Sequence, residues 1–377
     1  MTPRTSIVAL AALGVGLSVL GGLAGCETSG GGSGGGGSAA PAPSQMVSTD
    51  AWNALGYRLD WQGYASVPGG GRVTNFAIGN DCLVVQESGS RVSLLEKSNG
   101  AIRWTNQLAS RLTRFTSVDV RGNSVWASSE SELIGLDIES GDVVARQRFA
   151  RVVNTPPLFS GGVAVYGTAS GEVIGHLTTA NVKLWGFQSP GAITTPAVDV
   201  NGIAAIVSQS GDVMFLDPQT GTLYAGARMF RGVESAPASG DGAAYVASLD
   251  QSIYAFEPSG GVRWRYRTEY ALRGKPVFHA GVVYCEVPQQ GMVALDARTG
   301  GRRWNNPEVR GTVVAQRNGM LVVFNGREAL LVDPADGGIV ERQSLSNVAR
   351  VVAEQFTDGA IYTVSSSGAV ARLVPGR

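Results

Sequence analysis

The chain from about residue 55 onward consists of short apolar runs that alternate with turn-forming residues, without a 3.6-residue helical period. The stretch 195–228 illustrates the pattern. Its apolar runs are 195–200, 203–208, 212–216 and 222–228. Asn201-Gly202, between the first two runs, is a favoured hairpin turn because both positions adopt positive φ. The pattern therefore predicts four antiparallel strands joined by tight turns.

This four-stranded unit recurs eight times at intervals of 37 to 41 residues. The residues that end the third strand, six of them acidic, are Glu96, Asp137, Leu177, Asp217, Glu257, Asp296, Asp333 and Leu373. The turn residues that precede the second strand keep the same spacing and are Asp81, Gly122, Gly162, Gly202, Gly242, Gly281, Gly319 and Gly359. Repeats of about 40–45 residues with four strands are typical of propeller blades. The sequence predicts an all-β fold, an eight-bladed β-propeller of four-stranded antiparallel blades.

The ends of the repeat array predict how the ring closes. The last repeat has three strands, and a strand-like segment at 55–64 precedes the first repeat without a blade of its own. We expect this N-terminal strand to complete the eighth blade, which leaves no open sheet edge there. Trp61 within it matches the tryptophans of other fourth strands, which are Trp104, Trp185, Trp264 and Trp304. A ligand cage is one interpretation of these residues, but packing between blades is favoured, since stacked repeats bury a continuous core.

The N-terminal residues are typical of a targeting segment. Arg4 is followed by an uncharged apolar stretch at 7–20 and by Leu-Ala-Gly-Cys at 23–26. Residues 1–25 are therefore predicted to be a signal peptide. The tetrapeptide resembles a lipoprotein cleavage motif, which would make Cys26 the acylated first residue of the mature chain. An ordinary cleavage site with a chance cysteine is the alternative.

The segment that follows Cys26 is predicted to be a tether. Residues 26–50 are rich in Gly, Ser, Ala and Pro and cannot bury apolar surface. The propeller then occupies 51–377. Glu27 stands where many lipoproteins of the inner membrane have Asp, which favours the outer membrane.

The charge and the reactive residues of the chain narrow the range of functions to consider. The formal net charge is zero, from 30 basic and 30 acidic residues, and no basic stripe indicates nucleic-acid binding. Cys82 and Cys285 fall in blades far apart on the ring, and a disulfide needs Cα atoms within about 7 Å, so we expect both to be buried free thiols. His176 and His279 lie within the repeat register, with no nucleophile motif beside them. No metal-ligand cluster is evident.

The repeat resembles that of the quinoprotein-type (PQQ-like) β-propeller family. Blade six carries Gly-Val-Val-Tyr at 281–284, Gly-Met-Val-Ala-Leu-Asp-Ala-Arg-Thr-Gly at 291–300, and then Trp304. One branch of this family comprises quinone-dependent dehydrogenases, which carry calcium and a pair of adjacent cysteines that this chain lacks. The other is the BamB-like branch, outer-membrane lipoproteins that help to assemble β-barrel proteins. The BamB-like resemblance implies a protein without cofactor or catalytic activity.

A segment in blade five also resembles a partner-binding segment of the BamB-like branch. Residues 230–237, Phe-Arg-Gly-Val-Glu-Ser-Ala-Pro, resemble a Leu-Arg-Gly-Glu-Ser-Ala-Pro stretch of BamB-like proteins, with one residue inserted. There the arginine loop contacts the barrel-inserting subunit, which implies partner-binding roles for Phe230, Arg231 and Gly232. Leu272 and Arg273 in the next blade are further candidates, although the family has an acidic pair where this chain has Arg273. A solvated loop charge is the alternative interpretation of Arg231.

The sequence as a whole predicts a non-enzymatic scaffold that is lipid-anchored to the outer membrane and faces the periplasm. Its expected partners are the barrel-inserting subunit and, as a further possibility, unfolded outer-membrane protein clients. A propeller that binds another envelope protein or a glycan is the alternative, and a quinone-dependent dehydrogenase is the least favoured. The identity of the partner and the binding face stay open.

Overall fold

The structure is a computed structural model that describes residues 48–376, and the predicted signal peptide, Cys26 and most of the tether lie outside them. The described chain has one helix, α1 (Thr49–Ala54), and strands in eight four-stranded antiparallel sheets. The predicted eight-bladed β-propeller is therefore confirmed. The blades are numbered below in chain order.

Each blade contributes four strands. Blades 1 and 2 contain β2 (Val73–Ile78), β3 (Cys82–Glu87), β4 (Arg91–Glu96), β5 (Ile102–Gln107), β6 (Phe115–Arg121), β7 (Ser124–Ser129), β8 (Glu132–Asp137) and β9 (Val143–Arg148). Blades 3 and 4 contain β10 (Leu158–Ser160), β11 (Val163–Gly167), β12 (Glu172–Leu177), β13 (Val182–Gln188), β14 (Val198–Val200), β15 (Ile203–Val207), β16 (Asp212–Leu216) and β17 (Leu223–Arg228). Blades 5 and 6 contain β18 (Ala238–Gly240), β19 (Ala243–Ser248), β20 (Ser252–Phe256), β21 (Val262–Arg267), β22 (Val277–His279), β23 (Val282–Val287), β24 (Gly291–Asp296) and β25 (Arg302–Asn306). Blades 7 and 8 contain β26 (Thr312–Arg317), β27 (Met320–Phe324), β28 (Glu328–Val332), β29 (Ile339–Ser344), β30 (Arg350–Ala353), β31 (Ile361–Val364), β32 (Ala369–Pro375) and β1 (Tyr57–Tyr64).

The core lies between neighbouring blades, because the middle strands of each blade are buried on both faces. β3 and β20 are buried along their whole length, whereas the outer strand β5 buries only Trp104 fully. In blades 4 and 5, for example, Phe215 and Tyr254 belong to one apolar cluster shared by the two sheets. Each blade therefore depends on its neighbours for the burial that stabilises it.

The ring closes as predicted. β1 pairs antiparallel with β32, from Tyr57 opposite Pro375 to Tyr64 opposite Ala369. The helix α1 before it was not predicted, and it begins within the segment assigned to the tether. Its Trp52 is fully buried in the cluster that joins blades 7 and 8. A six-residue helix has little intrinsic stability, so this tertiary packing holds it in place.

Five blades have a tryptophan on the fourth strand, and each of these residues joins its blade to the next one, which confirms that they pack between blades. Each indole Nε1 donates to a backbone carbonyl in the 3–4 turn of the following blade. The acceptors are Lys97 O for Trp61 (3.0 Å), Ile138 O for Trp104 (2.9 Å), Pro218 O for Trp185 (3.1 Å), Ala297 O for Trp264 (2.8 Å) and Pro334 O for Trp304 (2.8 Å). A glycine with positive φ lies beneath each ring, at Gly100, Gly141, Gly221, Gly300 and Gly337. A β-carbon there would approach the ring to 2.4–2.7 Å, so these positions require glycine.

The repeated aspartates stabilise turns, as their register indicated. Asp217 Oδ1 accepts the backbone N–H groups of Gln219 (2.7 Å) and Thr220 (3.1 Å). Asp137 and Asp296 make the same pair of bonds in their own blades. These contacts lower the pKa of Asp137, and in Asp217 a hydrogen bond from Tyr224 is the larger cause of the lowered pKa.

The antiparallel order gives the ring two distinct faces. The 1–2 and 3–4 turns lie on one side, called the turn face here. The 2–3 turns and the interblade connections lie on the other, the connection face. The interblade connections are 65–72, 108–114, 149–157, 189–197, 229–237, 268–276, 307–311 and 345–349.

Candidate partner-binding site

The two predicted contact segments are neighbouring connections of the connection face, on either side of blade 5. The side chain of Phe230 is 90% exposed, and Arg231 is exposed beside it. Arg273 is also exposed and forms an ion pair with Glu234 of the neighbouring connection. The structure therefore brings Phe230, Arg231 and Arg273 to one surface.

Gly232 and Leu272 lie beneath that surface. Leu272 is fully buried in the cluster between blades 5 and 6, and its N–H donates to Ser248 O at 3.2 Å. Gly232 is buried against blade 4, where a β-carbon would lie 2.3 Å from Gln209 O. Neither residue is accessible to a partner. Both residues instead fix the backbone that presents the exposed side chains.

Further contacts hold the Phe230 connection in one conformation. Ser248 Oγ donates to Arg231 O at 3.0 Å, and the backbone N–H of Leu249 donates to Gly232 O at 2.9 Å. The N–H of Phe230 donates to Asp250 Oδ2 at 3.1 Å. A loop held by its neighbours in this way loses little conformational freedom when it binds, which favours affinity.

An open groove of about 640 Å³ lies beside Phe230 and Arg231. Its charged lining comprises four arginines and one aspartate: Arg228, Arg231, Arg265, Arg267 and Asp250. Arg228 pairs with Asp212 at 3.2 Å, and Arg265 donates to Ser252 Oγ at 3.0 Å. The side chains of Arg231 and Arg267 are exposed at this groove.

Tyr254 forms the floor of this groove. Its hydroxyl donates to Asp250 Oδ2 at 2.7 Å, and the Arg265 guanidinium lies 5.1 Å from its ring centroid. Burial and the bond to Asp250 raise the pKa of Tyr254 to about 12. The phenol therefore stays protonated at neutral pH and keeps Asp250 oriented.

Sequence reasoning did not identify the groove. Arg265 and Arg267 end the fourth strand of blade 5, Arg228 ends that of blade 4, and Asp250 lies in a 2–3 turn. The signal available was the Arg-Tyr-Arg sequence at 265–267, where alternate residues of a fourth strand share one face. That this face borders the Phe230 connection is evident only from the tertiary structure, in which both line one groove.

The histidines and cysteines occupy structural positions. His176 is buried, its Nε2 lies 2.8 Å from Gln147 Oε1, and burial lowers its pKa. His279 Nε2 lies 3.0 Å from Gln316 Oε1. Cys82 and Cys285 are buried free thiols, as predicted, and burial raises their pKa values to about 11 and about 12. These thiols are poor nucleophiles at neutral pH.

Metal ligands and membrane spans can be assessed for the part of the chain that the structure describes. Among residues 48–376, no group of three or more His, Cys, Asp or Glu side chains is arranged to hold a metal ion. The one helix there, α1, is not long and apolar enough to span a membrane.

The fold defines an eight-bladed propeller of quinoprotein-type repeats. The family model described as outer membrane protein assembly factor BamB matches this chain over residues 88–229 and 209–375. The two overlapping matches include most of the propeller. This chain belongs to the BamB family.

Solved structures agree on the fold. BamB from Moraxella catarrhalis aligns with a TM-score of 0.65 at 19% identity, covering 83% of this chain and 97% of that chain. A computationally designed protein, Ika8, aligns with a TM-score of 0.66 at 16% identity, covering 83% of this chain and 99% of that one. A search of curated proteins gives no significant sequence match. Because a designed protein aligns as well as a natural BamB, the likeness in structure describes the fold alone.

Proposed function

We propose that this chain is a lipid-anchored periplasmic scaffold of outer-membrane β-barrel assembly that binds a partner through the connections around blade 5. Membership of the BamB family supports the assembly role. The observation that carries the site is Phe230, 90% exposed on a connection whose backbone is hydrogen-bonded to the next blade. Aromatic residues and arginines are both enriched in protein interfaces.

The proposed contact surface consists of Phe230, Arg231 and Arg273, with Gly232 and Leu272 as supports beneath it. By family resemblance the partner is the barrel-inserting subunit, and unfolded outer-membrane clients are a second kind of occupant. The ion pair between Arg273 and Glu234 gives a reason why this chain has an arginine at position 273, where the family has an acidic pair. An arginine there neutralises Glu234, so the local surface stays basic around Arg231.

Co-purification from membranes in mild detergent tests the site. We expect Phe230→Ala and Arg231→Glu each to reduce capture of the partner at least tenfold, because truncation of a hot-spot residue costs about 2 kcal/mol or more. Arg298→Glu is the matched control, since Arg298 is an exposed arginine in a 3–4 turn on the opposite face. Capture that is equal in all variants would remove the site from the proposal. If the barrel-inserting subunit is absent even with the wild type, the assembly role itself fails.

The anchor and the location have a separate test. Cys26 lies outside the described residues, and its acylation is proposed from the motif. We expect Cys26→Ser to prevent acylation, with intact mass showing the loss of the acyl groups. A wild-type protein without acyl mass would contradict the anchor but leave the site proposal standing.

A non-catalytic role fits the positions of the reactive groups. Each histidine is hydrogen-bonded to a glutamine rather than to a nucleophile. Both cysteine thiols of the propeller are buried with raised pKa values. The groove beside Phe230 presents guanidinium groups, which recognise carboxylates and other anions without chemistry.

A further inference from the structure

A second surface of the connection face carries the most exposed large aliphatic side chain of the described chain. Leu112 is 96% exposed in the connection 108–114, and Val152 is 64% exposed in the connection 149–157. Arg111, Arg114 and Arg151 flank them and are exposed. These five residues, called the tip patch here, lie around blade 2, away from the Phe230 site at blade 5. Arg114 pairs with Glu130 at 3.2 Å and Arg151 with Glu172 at 3.6 Å, and exposed pairs of this kind contribute little energy, so they can exchange a glutamate for another anion.

The two connections of the tip patch are parts of one surface, because the 2–3 turn of blade 2 joins them. The backbone N–H of Glu130 donates to Arg114 O at 3.1 Å, and the N–H of Val153 donates to Glu130 O at 2.9 Å. Val153 is fully buried, so the chain beside Val152 is fixed to the propeller. Leu112 and Val152 therefore project from a supported surface.

Charge distinguishes the two faces of the ring. The eight interblade connections contain eight basic and three acidic residues, a net 8 − 3 = +5. The seven 3–4 turns of the opposite face contain two basic and six acidic residues, a net 2 − 6 = −4. A chain of zero net charge thus has a basic connection face, complementary to an anionic surface.

The tip patch combines protruding aliphatic side chains with arginines. Leu112 is 96% exposed and Val152 is 64% exposed. A lipid layer accepts protruding aliphatic side chains at its acyl boundary without a matching cavity, while arginines contact its phosphates.

We propose that the tip patch binds an anionic phospholipid surface and orients the connection face toward the membrane. Leu112 and Val152 enter the boundary between headgroups and acyl chains, and Arg111, Arg114 and Arg151 contact lipid phosphates. The patch thereby sets the angle at which the Phe230 site meets a membrane-embedded partner. This orienting role rests on the proposed function, whereas lipid binding itself does not.

Vesicle flotation tests the proposal with the mature chain, residues 26–377, carrying Cys26→Ser to remove the acylation site. We expect flotation with vesicles of phosphatidylcholine and phosphatidylglycerol, but not with phosphatidylcholine alone. Loss of Arg111 and Arg151 to Gln should weaken binding about fivefold for each arginine. Leu112→Asn with Val152→Asn should weaken it about tenfold.

Matched controls keep the test specific. Leu184→Asn with Val340→Asn changes two aliphatic side chains that are 46% and 59% exposed on fourth strands. Arg298→Gln with Arg302→Gln removes two exposed positive charges near the turn face. Both control pairs should float like the parent chain.

Three results of the flotation assay overturn the proposal: no flotation with the anionic vesicles, equal flotation with both vesicle types, or equal losses in the tip and control variants. Loss of partner capture by the tip variants with unchanged flotation would make the patch a protein-binding surface and would also overturn it. Arg231→Glu should float normally. A chain that floats but captures no partner would fail the proposed function and keep the lipid surface.

Discussion

The contact between a tryptophan and the glycine of the next blade gives the sharpest test of what holds the ring together. Gly221 has φ +72°, and a β-carbon on it would lie 2.5 Å from the Trp185 ring. Gly202 in the same blade has φ +84°, and a β-carbon on it would have no neighbouring atom within 4 Å. Gly221→Ala and Gly202→Ala therefore share the backbone strain and differ only in the clash with Trp185.

The structure sets the expected magnitudes. An alanine at positive φ costs about 1–2 kcal/mol, which both variants incur. In Gly221→Ala the indole must also move, which removes the 3.1 Å bond from Trp185 Nε1 to Pro218 O. That bond is worth about 1 kcal/mol, and lost packing of the ring adds about 1 kcal/mol more. We expect Gly202→Ala to cost about 1 kcal/mol and Gly221→Ala about 3 kcal/mol.

Urea unfolding followed by far-ultraviolet circular dichroism measures both costs against the parent chain. A double-mutant cycle with Trp185→Leu isolates the clash with the indole. In the Trp185→Leu background, Gly221→Ala should destabilise the protein no more than Gly202→Ala does. Equal costs in the parent background would refute the reasoning, because the clash with Trp185 would then contribute nothing to stability.

Three further predictions concern closure, pH and turns. Arg317→Met should destabilise the ring by about 3 kcal/mol and speed amide hydrogen exchange in β1, because the buried guanidinium donates to Gly56 O and Gly376 O. Unchanged hydrogen exchange in β1 would contradict a role of Arg317 in ring closure. Burial lowers the pKa of His176, so its contribution to stability is present above its unfolded pKa of about 6.5 and is lost as the pH falls below it; His176→Gln should flatten this pH dependence in urea unfolding, and an unchanged slope would assign it to other groups. Asp217→Ala should cost about 1 kcal/mol, and Asp217→Asn less, since an amide oxygen can accept the same two backbone bonds; equal losses in thermal unfolding would contradict the turn role.

Part of the candidate site was readable from the chain, because some residues act through local sequence. Phe230 and Arg231 are adjacent, lie in a connection between strands, and carry the family resemblance. Gly232 and Leu272 come from the same segments, but local sequence gives no information on burial. Their positions follow from Gln209 of the preceding blade and from the cluster between blades 5 and 6.

The tip patch and the groove could not be predicted from the sequence either, because each is formed by segments that are distant along the chain. Arg265 and Arg231 are separated in sequence by a whole blade, yet they line one groove. Leu112 and Val152 are joined through Glu130, which lies in neither connection. The basic character of one face appears only when connections and turns are assigned to opposite sides of the ring.

The sequence by itself determined the repeat, the four-stranded unit, the number of blades and the closure by an N-terminal strand. These features depend on alternating burial and turn chemistry, which act over a few residues and therefore leave a periodic record in the chain. Tertiary structure alone decided the position of α1, the pairing of each tryptophan with a glycine of the next blade, and the surfaces around Phe230 and Leu112. Those features depend on contacts between residues that are distant in sequence, where packing and burial are set by the partner blade rather than by the segment itself.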